Sequence, residues 1–335
     1  MDMRSSEPFS EAFDFASGAI GDRFQNPLWF LTELFLGRRF RLAVAEVKTF
    51  GSIVVSTALR KRAATDSSER DPGVQDQDGE EQQIKGSLIN SLIDEIKDPV
   101  VVADAALNYL SAGRDTTAQA LSWTFYLLMR HAHVIAEIRK ELDSVAADEQ
   151  GHSKLTFDNI QPTSMPYTLA AFYEALRLYP PVPFEIKQCI TATTLPDGTN
   201  LPAAAVVVWC PWAMNRSTRI WGPDAHTYRP ERWLENNVAS NTSSQDSKPI
   251  FRPRSQHEFP VFNGGPRTCL GKKMAELQAV YIIATLVDQF DFCEVIAAGG
   301  CPVERRSRNS LTLPMEGGLP CFISVPSRRM AFSPP

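Results

Sequence analysis

The apolar positions along the chain fall first into a helical period. Residues 7–62 read as two or three helices, and FRLAVAEVKTFGSIVVSTALRKR is amphipathic. The following stretch, AATDSSERDPGVQDQDGEEQQ, has almost no large apolar residue and cannot bury surface, which predicts a mobile surface loop over 63–84. Helical periodicity resumes at Ser87. In KDPVVVADAALNYLSAGRDTTAQALSWTFYLLMR, Asp98 is placed to cap a helix with Pro99 at its first position, and no proline interrupts it before about Arg130. That helix is apolar on most sides, which predicts a place in the middle of the protein. A further helix is expected at about 133–147, with Glu137 and Glu141 facing charged neighbours such as Arg139 and Lys140. The helix in PYTLAAFYEALRLYPP stops at Pro180 and Pro181, which cannot continue it.

The pattern then changes. TTLPDGTNLPAAAVVVWCPW reads as two short strands around a PDG turn. Residues 235–258 are polar and rich in Asn and Ser, which predicts a second mobile surface loop. KKMAELQAVYIIATLVDQF is a strong helix, and the tail from Cys301 reads as short strands and turns. There is no internal repeat and no linker, so the whole span 1–335 reads as a single, mainly α domain with small β-sheets.

Composition narrows the partners. The 335 residues are 43% hydrophobic and 22% charged, enough for a sizeable core. A net charge of −5 lacks the concentrated basic face of a nucleic-acid binder. Six cysteines contain no C-x-x-C pair, and a long chain without a signal peptide reads as an inhabitant of a reducing compartment with mostly free thiols. Five of the six are read as small buried hydrophobes. The apolar runs are short, such as AAAVVVWC, where a membrane span needs roughly 20 residues. No segment is therefore expected to cross a membrane.

The remaining cysteine is different. FNGGPRTCLG, residues 262–271, sets Cys269 after a glycine-rich turn and just before a helix. There the backbone N–H groups and the positive end of the helix dipole favour a thiolate. A nucleophilic cysteine wants a histidine partner, and none of the five histidines falls in a catalytic motif. A zinc site wants further ligands at regular spacing. A single thiolate suits haem iron, because the porphyrin supplies the other donors. Gly265 and Gly271 then let the loop approach the macrocycle, and Arg267 can reach a propionate.

These residues resemble the cytochrome P-450 haem-thiolate monooxygenases. The family's F-x-x-G-x-R-x-C-x-G loop is met by Phe262, Gly265, Arg267, Cys269 and Gly271. Three further signatures occur in the family's order: A-G-x-D-T-T at Ala112, Gly113, Asp115, Thr116 and Thr117; E-x-x-R at Glu174 and Arg177; and P-E-R-[FW] at Pro230, Glu231, Arg232 and Trp233. Alone, Gly113 is a helix glycine costing about 1 kcal/mol relative to Ala, and Glu174–Arg177 an ordinary surface pair. The resemblance implies more. The helix opens beside Gly113 for dioxygen, Asp115 and Thr116 pass protons, and Glu174, Arg177 and Arg232 form a buried structural network behind the loop. The stripe Trp123, Phe125 and Tyr126 is read as core.

The resemblance also implies haem b with Cys269 as axial thiolate, O2 and a lipophilic substrate. No G-x-G-x-x-G follows a strand, so the electrons come from a separate NADPH-dependent reductase, with Arg267, Lys272 and Lys273 near the docking side. Full-length members sit on the cytosolic face of the endoplasmic reticulum membrane. This chain matches their later part, without the anchor, most of the first sheet and the early helices. Lys187 is a partial stand-in for a propionate-binding arginine. The motifs look most like the fungal and plant branch that hydroxylates fatty acids and alkanes, with Val182 and Phe184 facing the pocket. Two alternatives stand beside a monooxygenase: a haem-thiolate enzyme of another reaction type, and a truncated fragment without turnover.

Overall fold

The computed structural model describes residues 7–68, 87–146, 156, 159–235, 249–295, 304–308 and 310–326. Contacts divide the chain into two compact units, residues 1–114 with 309–311, and 115–308 with 312–335. The chain is mainly helical, and its strands form small two-stranded antiparallel sheets.

The first unit begins with α1 (Glu7–Gln25) and α2 (Trp29–Ser68). Phe9 stacks on Phe50 with ring centroids 4.2 Å apart, and Ala16 and Ala43 are buried. The two or three helices expected over 7–62 are thus two. Gly51 does not break α2; it lets Leu107 approach, since a Cβ there would stand 2.7 Å from Leu107 Cδ1. α2 also corrects the loop expected over 63–84, because it continues through Ala63 and Ala64, both strong helix formers, to Ser68. The rest of that stretch, 69–86, lies outside the described residues. The expectation of no membrane span is neither met nor overturned by one stretch of α2. Gly37–Ala64 is long and apolar enough, by length and composition, to cross a membrane, and only 11% of its most apolar window is buried.

After α3 (Leu88–Glu95) comes the long α4 (Pro99–Arg130), which crosses from the first unit into the second. Its start is as the sequence dictates. The Asp98 carboxylate accepts the Val100 N–H at 2.9 Å and Pro99 opens the first turn. Its central placement holds only for the second half. Trp123, Leu127 and Leu128 are buried, whereas Val100 and Val101 are exposed, because the first half is covered only in part, by a small cluster of Val55, Ile89, Leu92 and Ile93.

The second unit is built on α5 (Ala132–Ala146), α6 (Pro166–Leu178) and α9 (Lys272–Gln289), with the short helices α7 (Pro211–Met214) and α8 (Thr218–Trp221) between them. Every residue of α6 is buried. Such a helix cannot satisfy its first N–H groups with water, and α5 supplies the acceptor. Glu141 accepts from the Tyr167 N–H at 2.7 Å, the Thr168 N–H at 2.9 Å and Thr168 Oγ1 at 2.7 Å. Arg139 caps the other end of the stack, donating to the Val287 and Phe290 carbonyls at the C-terminus of α9. Glu137 pairs with Lys140 as expected, and Glu141 reaches across to another helix.

Strand β1 (Glu185–Gln188) pairs with β4 (Val206–Trp209), and β2 (Thr193–Thr194) with β3 (Asn200–Leu201) around the PDG turn, where Gly198 has φ +87°. β5 (Leu234–Glu235) pairs with β6 (Ile250–Phe251), and β7 (Asp291–Glu294) with β8 (Cys321–Ser324). The first of these last two pairs corrects the loop expected over 235–258. Its ends are drawn into a sheet because Phe251 packs on Tyr173, with centroids 4.7 Å apart. Residues 236–248 lie outside the described residues.

Glu141→Ala should lower the unfolding free energy by about 1–2 kcal/mol, the range for a lost N-cap. Glu137→Ala should change it by less than about 0.5 kcal/mol. Urea unfolding of the two variants side by side checks both.

Candidate active site

The E-x-x-R pair is buried. Glu174 and Arg177 have no exposed surface, and their side chains meet at 2.8 and 2.9 Å. Arg177 uses all five of its N–H donors: two on Glu174 and three on the Asn215, Ala225 and Thr227 carbonyls. Glu174 accepts in addition from Arg232 Nε at 2.7 Å, Trp233 Nε1 at 2.9 Å and the Arg229 N–H at 3.0 Å. The charge on Arg232 is balanced by Asp224 at 3.2 Å. The buried network joined by Arg232 is therefore present, and it ties α6 to the Pro230–Trp233 turn and the carbonyls before it.

That frame supports the cysteine loop. Trp233, Phe251, Phe259 and Phe262 surround Tyr173 of α6. Tyr173 donates to Glu276 of α9, and burial, together with that carboxylate, pushes the phenol well above its usual range. The loop thus packs on α6 through Phe262, and α6 is tied in turn to α9, the helix that follows the loop. Within it the Cys269 N–H donates to the Phe262 carbonyl at 2.8 Å, so the first and eighth residues of the motif close on each other. Asn263 sits at φ +60° and Gly265 at φ +58°. The second value explains the motif's first fixed glycine, since a side chain there would be strained. Asn263, at φ +60° and ψ −168°, is in strained backbone for a residue with a side chain, and its Nδ2 lies 3.5 Å from Glu185 Oε2 of β1. Burial raises the Glu185 carboxyl pKa, against the pull of Lys187.

Cys269 is exposed, as is Leu270 beside it. Gly271 has φ −82°, which any residue adopts, but a Cβ there would face Cys269 Sγ at 3.9 Å. Its missing side chain keeps the sulfur's side of the loop open. α9 starts at Lys272, so the sulfur lies just before the positive end of an 18-residue helix. Arg267 is exposed; among the described residues no ion pair holds it. Lys272 is committed to Glu276 at 3.9 Å, while Lys273 is exposed. The open sulfur, the glycine-only turn and the outward arginine fit a flat, anionic macrocycle.

The other candidate residues, Ala112, Gly113, Asp115 and Thr116, lie on α4, which runs through them as one uninterrupted α-helix. The opening expected beside Gly113 is not seen in the continuous helix; a Cβ on Gly113 would meet nothing within 4 Å, so there is free space at that point. Ala112 and Gly113 belong to the first unit, and Asp115 and Thr116 to the second. Trp123 and Tyr126 are core, as read from the sequence. Lys187 lies over the Trp209 ring at 5.3 Å. A cavity of about 690 Å³ in the second unit is lined by residues such as Trp123, Tyr179 and Arg216. None of the motif residues named above lines it, nor does Val182 or Phe184; Phe184 is 60% exposed.

Removing one member of the buried network leaves uncompensated charge and orphaned carbonyls. Arg177→Ala should cost about 3–5 kcal/mol, which guanidinium unfolding or loss of soluble protein would register.

Comparison with known proteins agrees with this frame. Residues 14–322 match the family described as Cytochrome P450. Cytochrome P450 94A1 of Vicia sativa is 33% identical over 321 residues, covering 94% of this chain and 56% of that protein. Cytochrome P450 CYP94D108 of Paris polyphylla is 32% identical over 326 residues, covering 95% and 59%. Cytochrome P450 monooxygenase cyp1 of Mycosarcoma maydis is 31% identical over 332 residues, covering 92% and 47%. The chain spans about half the length of the curated relatives it matches. The matched span takes in both the buried Glu174 network and the Cys269 loop, and the chain belongs to the cytochrome P450 family.

Proposed function

We propose that this chain carries the haem-thiolate centre of a monooxygenase that inserts one atom of O2 into a lipophilic substrate, a fatty acid or an alkane. The observation that carries the reading is the exposed Cys269 on a loop whose turn requires glycine, held against the family's buried Glu–Arg frame. Bound there, haem b would supply one-electron and O2 chemistry, with thiolate donation favouring O–O cleavage.

The chain's own residues have separate tasks in this reading. Cys269 would hold the haem iron through its thiolate sulfur. Gly265 and Gly271 keep side chains off the macrocycle face, and Phe262 anchors the loop to the aromatic cluster. Arg267 offers its guanidinium to a propionate. Ala112 and Gly113 leave room on the helix surface. Thr116 holds a proton at its hydroxyl and Asp115 exchanges one with water, since proton delivery needs groups that both donate and accept. The substrate class rests on the motifs' likeness to the fatty-acid and alkane branch. Electrons would come from an NADPH-dependent reductase, with Arg267 and Lys273 available to an acidic partner. The proposed setting is the cytosolic face of the endoplasmic reticulum membrane, and α2 carries a stretch of the required length and apolarity.

The carbon monoxide difference spectrum of the purified chain tests the haem-site reading, because a chain that does not retain haem gives no absorption band.

Two outcomes test the assigned roles. Cys269→Ala should abolish the thiolate signature of the ferrous carbonyl complex, and its survival would reassign the ligand. Thr116→Ala should divert reducing equivalents into peroxide and lower product per NADPH consumed. Unchanged coupling would remove Thr116 from proton delivery.

A further inference from the structure

Gln256 lies outside every motif of the cysteine loop, yet its side-chain amide closes a ring of three hydrogen bonds around it. The Gly265 N–H donates to Gln256 Oε1 at 3.2 Å. Gln256 Nε2 donates to Thr268 Oγ1 at 3.3 Å. Thr268 Oγ1 donates in turn to the Gly265 carbonyl at 2.8 Å. Thr268 is the residue immediately before Cys269. The ring needs a carboxamide, which accepts at one end and donates at the other. A carboxylate only accepts, and the Thr268 proton is already committed to Gly265.

Gly264 gives independent support. It occupies an unspecified position of the F-x-x-G-x-R-x-C-x-G pattern, and its φ of −154° is open to any residue. Space is what limits it. A Cβ there would stand 3.0 Å from Gln256 Oε1 and 3.4 Å from Gln256 Cβ. The glutamine lies across the loop, and Gly264, the first glycine of the pair, leaves room for it.

We infer that Gln256 is a positioning residue for Cys269. Its amide fastens Gly265 to Thr268 and so fixes the direction in which the sulfur leaves the loop. The inference rests on the reading of Cys269 as the thiolate ligand. The ring is at the surface, where each hydrogen bond adds little net stability, so its effect falls on loop geometry and not on folding.

The clamp is tested first in the purified chain without added haem, by hydrogen–deuterium exchange over 262–271. Gln256→Ala, Gln256→Glu and Gly264→Ala should each speed exchange about fivefold, the factor that one lost hydrogen bond supports. The double variant Gln256→Ala with Gly264→Ala should be no faster than either single, because both remove the same clamp. Unchanged exchange in Gln256→Ala, or additive effects, would overturn the clamp. After reconstitution with haemin, the ratio of thiolate-type to thiol-type ferrous carbonyl absorbance should fall about fivefold in Gln256→Ala and Gln256→Glu, with unfolding still cooperative and its midpoint lowered by no more than one lost hydrogen bond accounts for. A wild-type ratio in these variants overturns the positioning role even if exchange has changed. A wild-type chain with the expected exchange pattern and no thiolate band overturns the haem-site reading instead, and exchange alone then decides the clamp.

Discussion

The rest of the second unit depends on one buried carboxylate. Glu174 holds two arginines, a tryptophan N–H and a backbone N–H, all within 3.0 Å. A buried anion is tolerated only when charge and hydrogen bonds compensate its lost hydration. That requirement forces Arg177, Arg232 and the Pro230–Trp233 turn into one arrangement. Arg177 then draws in three carbonyls, fixing the chain between Asn215 and Thr227. The network is weak evidence for stability as such, but it leaves the local chain little freedom to take another path.

The cysteine loop inherits that order. Trp233 is both a ligand of Glu174 and a wall of the aromatic cluster that holds Tyr173 and Phe259. Tyr173 in turn packs on Phe262, the first residue of the loop. Position is thus passed from a buried charge, through stacked rings, to a backbone hydrogen bond that closes on Cys269. The sulfur itself stays exposed. The loop is thus held on one side by packed rings and presents Cys269 on the other.

α5 does similar work for the helices. Its Glu141 caps α6 and its Arg139 caps α9, so one helix satisfies the orphan groups of two others. Neither contact was legible in the sequence. There, Glu141 and Arg139 look like members of a solvated charged face, and local spacing cannot reveal a partner that lies 26 residues away in the chain. Gln256 was missed for the same reason, since a lone glutamine in a polar stretch carries no spacing signal. The polar character of 235–258 likewise concealed the pairing of β6 with β5, because a single phenylalanine meeting Tyr173 decided it.

What the sequence determined by itself was local or motif-borne: the capped start of α4 at Asp98 and Pro99, the strong helix after the cysteine loop, the glycine turn, and the four ordered motifs that mark the family. Propensity, capping and turn chemistry act over a few residues, so they can be read along the chain. Tertiary structure alone decided that α6 is buried on every side, that Glu141 serves another helix, and that the first half of α4 is exposed where its second half is core. These outcomes depend on what lies across the gap from each side chain. Burial and charge compensation belong to the packed assembly, and no stretch of sequence states them in advance.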